Sequence, residues 1–424
     1  MAAVSELRPR HRDAEIRWPR RQGDGIHIGV NAVTIRPGTL DDWPAATRLF
    51  EFAFGHRSSD EVLAAWSGEI GDSMVVATDT GSVVGQTMDL PMTTTVPGGA
   101  QLTGRGISLV AVAPTHRRRG LLRAMFTEQH KRIAASGVPL ALLTASEASI
   151  YGRFGYGAAT IESRVRIDRR LAKMHAGVPD PGGVRVVSVA EATELVPAIY
   201  ERWQALTPGA QVRPKAMLDR YLANADKPGS TPPYAIVHRD GYALFARRTK
   251  DNEGIARVFE FRAVTADAHA ALWRILLSLD LVTYVEAVQS PEDPLQYMLT
   301  DSRLVEVDER EDALWVRIMD VPAALEARTY SADLDVVVEV RDGFLDAGGT
   351  FALTVADGKA RCVRTEAPAQ VSLDLAVLGS LYLGAHRARV LAAAHRLWAK
   401  DSETLRVFDL AFQTDRAAEM GWGF

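Results

Sequence analysis

The stretch Leu109-Val110-Ala111-Val112-Ala113-Pro114-Thr115-His116-Arg117-Arg118-Arg119-Gly120-Leu121-Leu122-Arg123 decides the reading of this chain. Its first five residues are apolar and extend as a strand. A basic loop follows, and at Gly120 it turns into a helix over residues 120–136, with Leu122, Met125, Phe126 and Ile133 along one side. Backbone N–H groups at a helix start have no intrahelical partner and receive anions well. Arg117, Arg118, Arg119 and Arg123 add positive charge with no acid among them, and Gly120 lets the backbone approach an anion closely. The segment suits a pyrophosphate. It is neither a Walker-type phosphate loop, lacking Gly-Lys-Ser/Thr, nor a dinucleotide fingerprint, lacking the glycine triplet. By itself it is also compatible with a solvated basic helix start.

On the C-terminal side, a strand over 140–144 leads into Ala145-Ser146-Glu147-Ala148-Ser149-Ile150-Tyr151-Gly152-Arg153-Phe154-Gly155-Tyr156-Gly157. This reads as a short helix with Tyr151 near its end, then a glycine-rich return to extended chain. On the N-terminal side, residues 33–35 form a strand. Thr39 caps a helix that has Asp41 and Asp42 in its first turn and Leu49, Phe50 and Phe54 at helical spacing. Residues 74–78 and 83–86 flank Asp79-Thr80-Gly81-Ser82 as a hairpin. The order is strand, helix, antiparallel strands, then strand-helix-strand.

The same order returns after the linker Gly177-Val178-Pro179-Asp180-Pro181-Gly182-Gly183. Strands over 184–189, 234–237, 242–245, 256–264 and 283–288 and helices through Trp203 and Leu276 repeat it, which argues for a structural repeat. The repeat keeps the elements and loses the loop. Its counterpart, Val264-Thr265-Ala266-Asp267-Ala268-His269-Ala270-Ala271-Leu272, has no basic cluster, no glycine, and an acid where phosphate would lie. A third block has strands over 315–319, 336–340, 351–355 and 371–375 and helices over 378–383 and 390–397, an α+β pattern. The expected division is a flexible leader over 1–30, a first domain over 31–175, a second over 184–308 and a third over 311–424.

Composition bounds the function. At 424 residues no staple is needed to bury a core. The single cysteine, Cys362, excludes a disulfide framework and a cysteine-based zinc site, and fits a reducing cytoplasm. A net charge of −4 argues against a dedicated nucleic-acid binder. No apolar run reaches the ~18 residues of a membrane span. The arginine-rich residues 1–30 lack an apolar core and are not a secretory signal. No metal is expected, and the location expected is the cytoplasm.

The basic loop and Tyr151 together resemble the GNAT superfamily of acetyl-CoA-dependent N-acetyltransferases. Leu122 stands where the family usually has a small residue. Residues 108–125, 151–157, 318–328 and 377–387, with the three-block order, are similar to the Eis (enhanced intracellular survival) family within it. The similarity covers about residues 31–424. It implies a catalytic GNAT domain, a degenerate GNAT-like domain and a sterol-carrier-like α+β domain. It also implies a homohexamer, acetyl-CoA as co-substrate, and transfer to aminoglycosides and other small cationic amines. Val110, Ala111 and Val112 would bind the pantetheine arm through their backbones. Arg117, Arg118, Arg119, Gly120, Leu121, Leu122 and Arg123 would line the pyrophosphate, and Ser146 and Glu147 would flank the acyl arm.

The chemistry needs a base for the amine and a proton for the departing thiolate. Tyr151 is the candidate acid, with an ordinary phenol pKa of ~10, and Tyr156 is its rival. His116 and His130 are near the loop, but phosphate would attract His116. The resemblance implies that the terminal α-carboxylate, here of Phe424, folds back as the base; a frayed terminus is the alternative. Phe52, Phe54, Trp66 and Glu419 are candidates for an aromatic, acidic acceptor pocket. Gly423 stands where the family is expected to carry an acid. Two other readings remain: a protein-lysine acetyltransferase, and a lipid-carrier or assembly protein with a vestigial first domain.

Overall fold

The computed structural model describes residues 26–28, 33–55, 73–224 and 230–424. Ile26–Ile28 (β1) pairs antiparallel with Val33–Pro37 (β2). The expected leader therefore ends in a strand, because the open edge of β2 offers hydrogen-bond partners to the extended segment before it. Trp43–Phe54 (α1) follows a short turn in which Asp42 accepts from the Thr39 backbone and pairs with Arg36 at 2.7 Å. Met74–Asp79 (β3) and Ser82–Thr95 (β4) form the expected hairpin, and Gln101–Val112 (β5) returns along β4. Leu121–Ala135 (α2), Leu140–Thr144 (β6), Ala148–Tyr151 (α3) and Gly157–Ala158 (β7) complete the first block.

Ile161–Asp168 (β8) crosses to the second sheet. There Arg185–Val187 (β9), Tyr234–His238 (β10), Gly241–Lys250 (β11), Glu253–Ala263 (β12), Tyr284–Gln289 (β13) and Glu306–Asp312 (β14) give the order β14-β8-β13-β12-β11-β10-β9. Val189–Leu206 (α4), Lys215–Asn224 (α5) and Ala266–Ser278 (α6) accompany it. Leu314–Ile318 (β15) then returns to the first sheet, whose order is β1-β2-β3-β4-β5-β6-β15-β7.

These two exchanges depart from the division expected from the sequence, which put β8 in the first domain and β15 in the third. Local pattern does not determine which sheet a strand joins. Leu314–Ile318 is buried at every position, as suits a strand flanked by β6 and β7 on either side. Arg317 within it is fully buried, pairs with Asp342 at 2.7 Å and donates to the Phe154 carbonyl at 2.7 Å. A buried cation needs such partners, and those at its two terminal nitrogens tie the first block to the third.

The third sheet, β18-β17-β16-β19-β20, consists of Leu334–Arg341 (β16), Gly349–Ala356 (β17), Lys359–Arg364 (β18), Val371–Asp374 (β19) and Leu397–Ala399 (β20). Val321–Ala327 (α7), Leu375–Tyr382 (α8), Ala388–Ala393 (α9) and Ser402–Ala411 (α10) pack with it. One continuous apolar core joins all three blocks through Met92, Leu142, Trp203, Val316, Leu378 and Trp422. Among the described residues no helix is long and apolar enough to cross a membrane.

Candidate active site

The site begins as an opening in the first sheet. β5 and β6 pair in parallel from Gly104↔Leu140 to Ile107↔Leu143 and no further. At that point the β4–β5 register slips between Gln86 and Met88, and Leu109 takes a left-handed φ of 53°. A bulge of this kind bends the strand and redirects its edge. Val110, Ala111 and Val112 continue along β4, but the side facing β6 has no ladder partner among the described residues. Their backbone groups on that side are available to an extended, amide-bearing ligand.

Gly120, at φ 79°, is the cap residue of α2, and Arg118 is also left-handed at φ 62°. A left-handed residue is the reason a glycine is suited to position 120. Arg117 and Arg118 are exposed and have no ion pair among the described residues, and Arg119 lies 3.9 Å from Asp79. The Arg123 guanidinium lies 5.6 Å from the centre of the Phe344 ring. Leu121 is buried under the loop, and Leu122 packs against the neighbouring aromatic cluster. His116 is turned away from the phosphate role: its Nε2 is 3.0 Å from Asp79, and its Nδ1 is 2.8 Å from the Thr115 hydroxyl.

Ser146 and Glu147 are exposed in the bend after β6. Tyr151 is buried beyond them in a cluster with Ile107, Phe126, Leu143 and Phe154. Burial, then the charge of Glu147, pushes its phenol up to about 12. Tyr156 and His130 are partners in the same cluster at 2.7 Å. His130 Nδ1 is 2.8 Å from the Phe126 carbonyl, so that nitrogen carries the proton and Nε2 accepts from Tyr156. Burial holds His130 down to about 3, with Arg317 adding to the effect. A fully buried histidine tied at both nitrogens is structural, and so is its tyrosine.

Phe424 reaches the same opening from the other face of the sheet. It packs against the core containing Met92, Leu140 and Leu142, whereas Tyr151 packs with Ile107, Ala141 and Leu143. Alternating residues of β6 point to opposite faces, so the two candidate groups flank the opened strand pair. A side chain at Gly106 would strike the Phe424 ring at 2.8 Å. The Thr144 hydroxyl donates to a terminal carboxyl oxygen of Phe424 at 3.2 Å.

Phe52 and Phe54 are exposed on α1, and the Phe54 ring packs at a tilt against Phe50 with ring centres 4.5 Å apart. Trp66 lies outside the described residues. Glu419, the acidic candidate for the acceptor pocket, lies against the second block. It pairs with Arg262 of β12 at 3.3 Å and borders a cavity of about 470 Å³ with Phe261, His269, Trp273 and Asp293 of the second block. The guanidinium attracts it there, while burial pushes its carboxyl up.

Sequence reasoning missed several residues. Thr144 bonds Phe424, and Gln211 bonds the N–H groups of Gly421 and Trp422, partners far along the chain that no local pattern marks. Gln86, level with Ala111, is buried with neither amide atom bonded among the described residues, leaving a donor and an acceptor beside the opened strand. Asp89 accepts from Arg105 and from Gln129, which in turn accepts from Thr87, a buried polar tie between β4, β5 and α2.

An opened parallel strand pair leading into a basic glycine turn and helix defines an acetyl-CoA-dependent acyltransferase of the GNAT type. Family profiles agree: an acetyltransferase (GNAT) domain matches residues 34–159, a second matches 209–318, and a sterol carrier protein domain matches 321–421. The chain is 47% identical over 406 residues to N-acetyltransferase Eis of Mycobacterium tuberculosis, covering 92% of this chain and 100% of that one. It is 33% identical to an uncharacterized N-acetyltransferase of Streptomyces griseus, covering 92% and 98%. The crystal structure of Eis1 from Mycobacterium abscessus superposes with a TM-score of 0.83 at 33% identity, over 92% of this chain and all of that one. The chain belongs to the Eis family of N-acetyltransferases, with two GNAT domains and a sterol-carrier-like domain.

Proposed function

We propose that this acyltransferase moves the acetyl group of acetyl-CoA to primary amines of cationic small molecules such as aminoglycosides. Tyr151 serves as the acid, donating a hydrogen bond to the departing sulfur, and the Phe424 carboxylate serves as base. The observation that carries the reading is the placement of these two groups on opposite faces of the sheet at the β5–β6 opening.

The backbone of Val110–Val112 holds the amide-bearing arm, and the Arg117–Arg123 turn holds the pyrophosphate. Ser146 and Glu147 flank the acyl end. The amine attacks the thioester carbon, forming a C–N bond. The attacking amine is the form that has already lost its ammonium proton to solvent; its nitrogen becomes more acidic as the C–N bond forms, and the Phe424 carboxylate accepts the remaining excess proton and passes it to solvent. Collapse of the tetrahedral intermediate breaks the C–S bond. Tyr151, held at about 12, stays protonated and donates to the departing sulfur. An ordinary thiol has a pKa of ~8.5, so the phenol stabilises the thiolate chiefly by a hydrogen bond rather than by full proton transfer. Exposed Phe52 and Phe54 offer aromatic surface to a cationic acceptor.

The homohexamer belongs to the same reading. Exposed apolar side chains such as Leu171, Leu281 and Tyr297 are surface that an assembly could cover. Light scattering on the eluted protein checks the oligomer. The function itself is tested by incubating the protein with acetyl-CoA and, separately, aminoglycosides, linear polyamines and lysine peptides, then weighing the products by mass spectrometry. Acetylated aminoglycoside or polyamine is the expected result. Acetylation of the peptides alone would replace this reading with a protein-lysine acetyltransferase. The absence of acetyl-CoA binding would favour the carrier or assembly reading.

A further inference from the structure

We infer that Arg262 and Gln211, both in the second GNAT domain, are positioning residues that hold the C-terminal tail so that the Phe424 carboxylate meets the active site of the first. The inference rests on the reading of Phe424 as base.

The tail is fixed at nearly every residue before its end. The Glu419 N–H donates to the Pro208 carbonyl at 2.9 Å. Arg262 Nη2 donates to the carbonyls of Met420 and Gly421, each at 3.1 Å, while its Nη1 donates to the Glu419 carboxylate at 3.3 Å. Gln211 Oε1 accepts from the N–H of Gly421 at 2.9 Å and of Trp422 at 3.3 Å. The Trp422 indole donates to the Val212 carbonyl at 3.2 Å, and Trp422 meets the Phe424 ring edge to face at 5.6 Å. After Trp422, only exposed Gly423 separates the clamp from the carboxylate.

The clamp is itself held from below. The Arg262 guanidinium lies 4.2 Å from the centre of the Trp203 ring, and the Tyr200 hydroxyl donates to the Gln211 carbonyl at 2.7 Å. Gln211 bridges to Thr94 at the end of β4, and the Val212 N–H donates to the Thr93 carbonyl at 2.9 Å. One hairpin strand of the catalytic sheet and the tail are thus both fixed to Gln211 and Val212, with Arg262 holding the tail alone. Gly421 fits because it has no side chain: a Cβ there would lie 2.3 Å from the Tyr200 hydroxyl and 2.8 Å from the Gln211 nitrogen. The second domain lacks the phosphate-binding loop, and the clamp gives it a part in the reaction through the tail. A base displaced by ~1 Å can cost ~100-fold in rate.

The test compares Arg262→Met, Arg262→Lys and Gly421→Ala with a protein carrying one glycine appended after Phe424 and with the combination of Arg262→Met and that extension. Fold is monitored by thermal melting, acetyl-CoA affinity by calorimetry and turnover at saturating acetyl-CoA and amine. The expected result is a fall in kcat of ~10–100-fold for Arg262→Met and Gly421→Ala, with acetyl-CoA Kd unchanged and partial rescue in Arg262→Lys. The combined variant should be no slower than the extension alone, because both act through one group. Unchanged kcat in the extended protein would overturn the Phe424 reading and the clamp with it. A slow extended protein beside fully active Arg262→Met and Gly421→Ala would overturn the clamp alone. So would additive losses in the combined variant. If Arg262→Met does not fold, Gly421→Ala decides by the same criteria.

Discussion

Thr144, at the end of β6, donates a hydrogen bond of 3.2 Å to the terminal carboxyl of Phe424, 280 residues further along the chain. Thr144 is also the first residue of β6 beyond the last parallel pair with β5, Ile107↔Leu143. The contact brings the end of the chain to the opening where the strands part.

Thr144→Val keeps the shape of the side chain and removes the donor. One hydrogen bond to a charged group contributes about 1.5 kcal/mol, so kcat should fall about tenfold while acetyl-CoA Kd stays the same. Steady-state kinetics alongside calorimetry read the two quantities separately. Equal losses in both would place Thr144 in cofactor binding instead.

Arg118→Glu should raise the acetyl-CoA Kd about tenfold or more, since a charge-assisted bond to phosphate is lost and a repulsion is added. Turnover at saturation should change little. Because the loop is exposed, the wild-type affinity should weaken with added salt more than that of the variant. Calorimetric titration at two salt concentrations checks both statements.

The Tyr151 phenol, held up to about 12 by burial and by Glu147, loses its proton only as pH rises through that value. Its donating form is complete at every pH below ~11, so Tyr151 produces no basic limb in the turnover profile between pH 7 and 10. Tyr151→Phe should lower kcat across that whole range by a constant factor. A deficit that disappears above pH 9 would show that the phenol loses its proton there, contradicting its upward shift to about 12; no deficit at any pH would show that it is not the donor.

His130 supplies a test of stability. Held down to about 3, it stays neutral in the folded protein, whereas in the unfolded chain it protonates below ~6.5. Its contribution is complete above pH 6.5 and is lost as pH falls toward 3, with a limiting slope of about 1.4 kcal/mol per pH unit. His130→Gln should melt lower at neutral pH, having disturbed the Tyr156 bond, yet lose less Tm between pH 6.5 and 4 than the wild type. Parallel curves for the two proteins would contradict the assignment.

The sequence carries the first sheet in local signals. Valine-rich runs and the Thr80-Gly81 turn fall where those patterns place them, whereas Thr39 opens a short turn and the helix itself starts at Trp43 after Asp42. The basic turn at 117–120 was legible because charge and a left-handed glycine are local properties. What remained hidden depends on distance along the chain. Nothing within β15 or β8 says which sheet will take it, since apolar alternation fixes a face and not a neighbour. Glu419 reads as an acid near an aromatic tail, and only the fold brings Arg262 against it. Gln211 and Thr144 are ordinary polar residues until the last turn of the chain arrives beside them. The glycine at 423 stands where an acid was expected, and its exposure leaves the pocket charge to other residues.

The most direct test of the central claim measures CoA-thiol release from acetyl-CoA by the wild type and by Tyr151→Phe, each with and without an aminoglycoside. Release is expected to depend on the amine and to fall ~10–100-fold in the variant, with acetyl-CoA affinity intact. Amine-dependent release at the wild-type rate in Tyr151→Phe would contradict the assignment of the donor. Acetyl-CoA bound by the wild type with no release on adding the aminoglycoside would contradict the proposed acceptor.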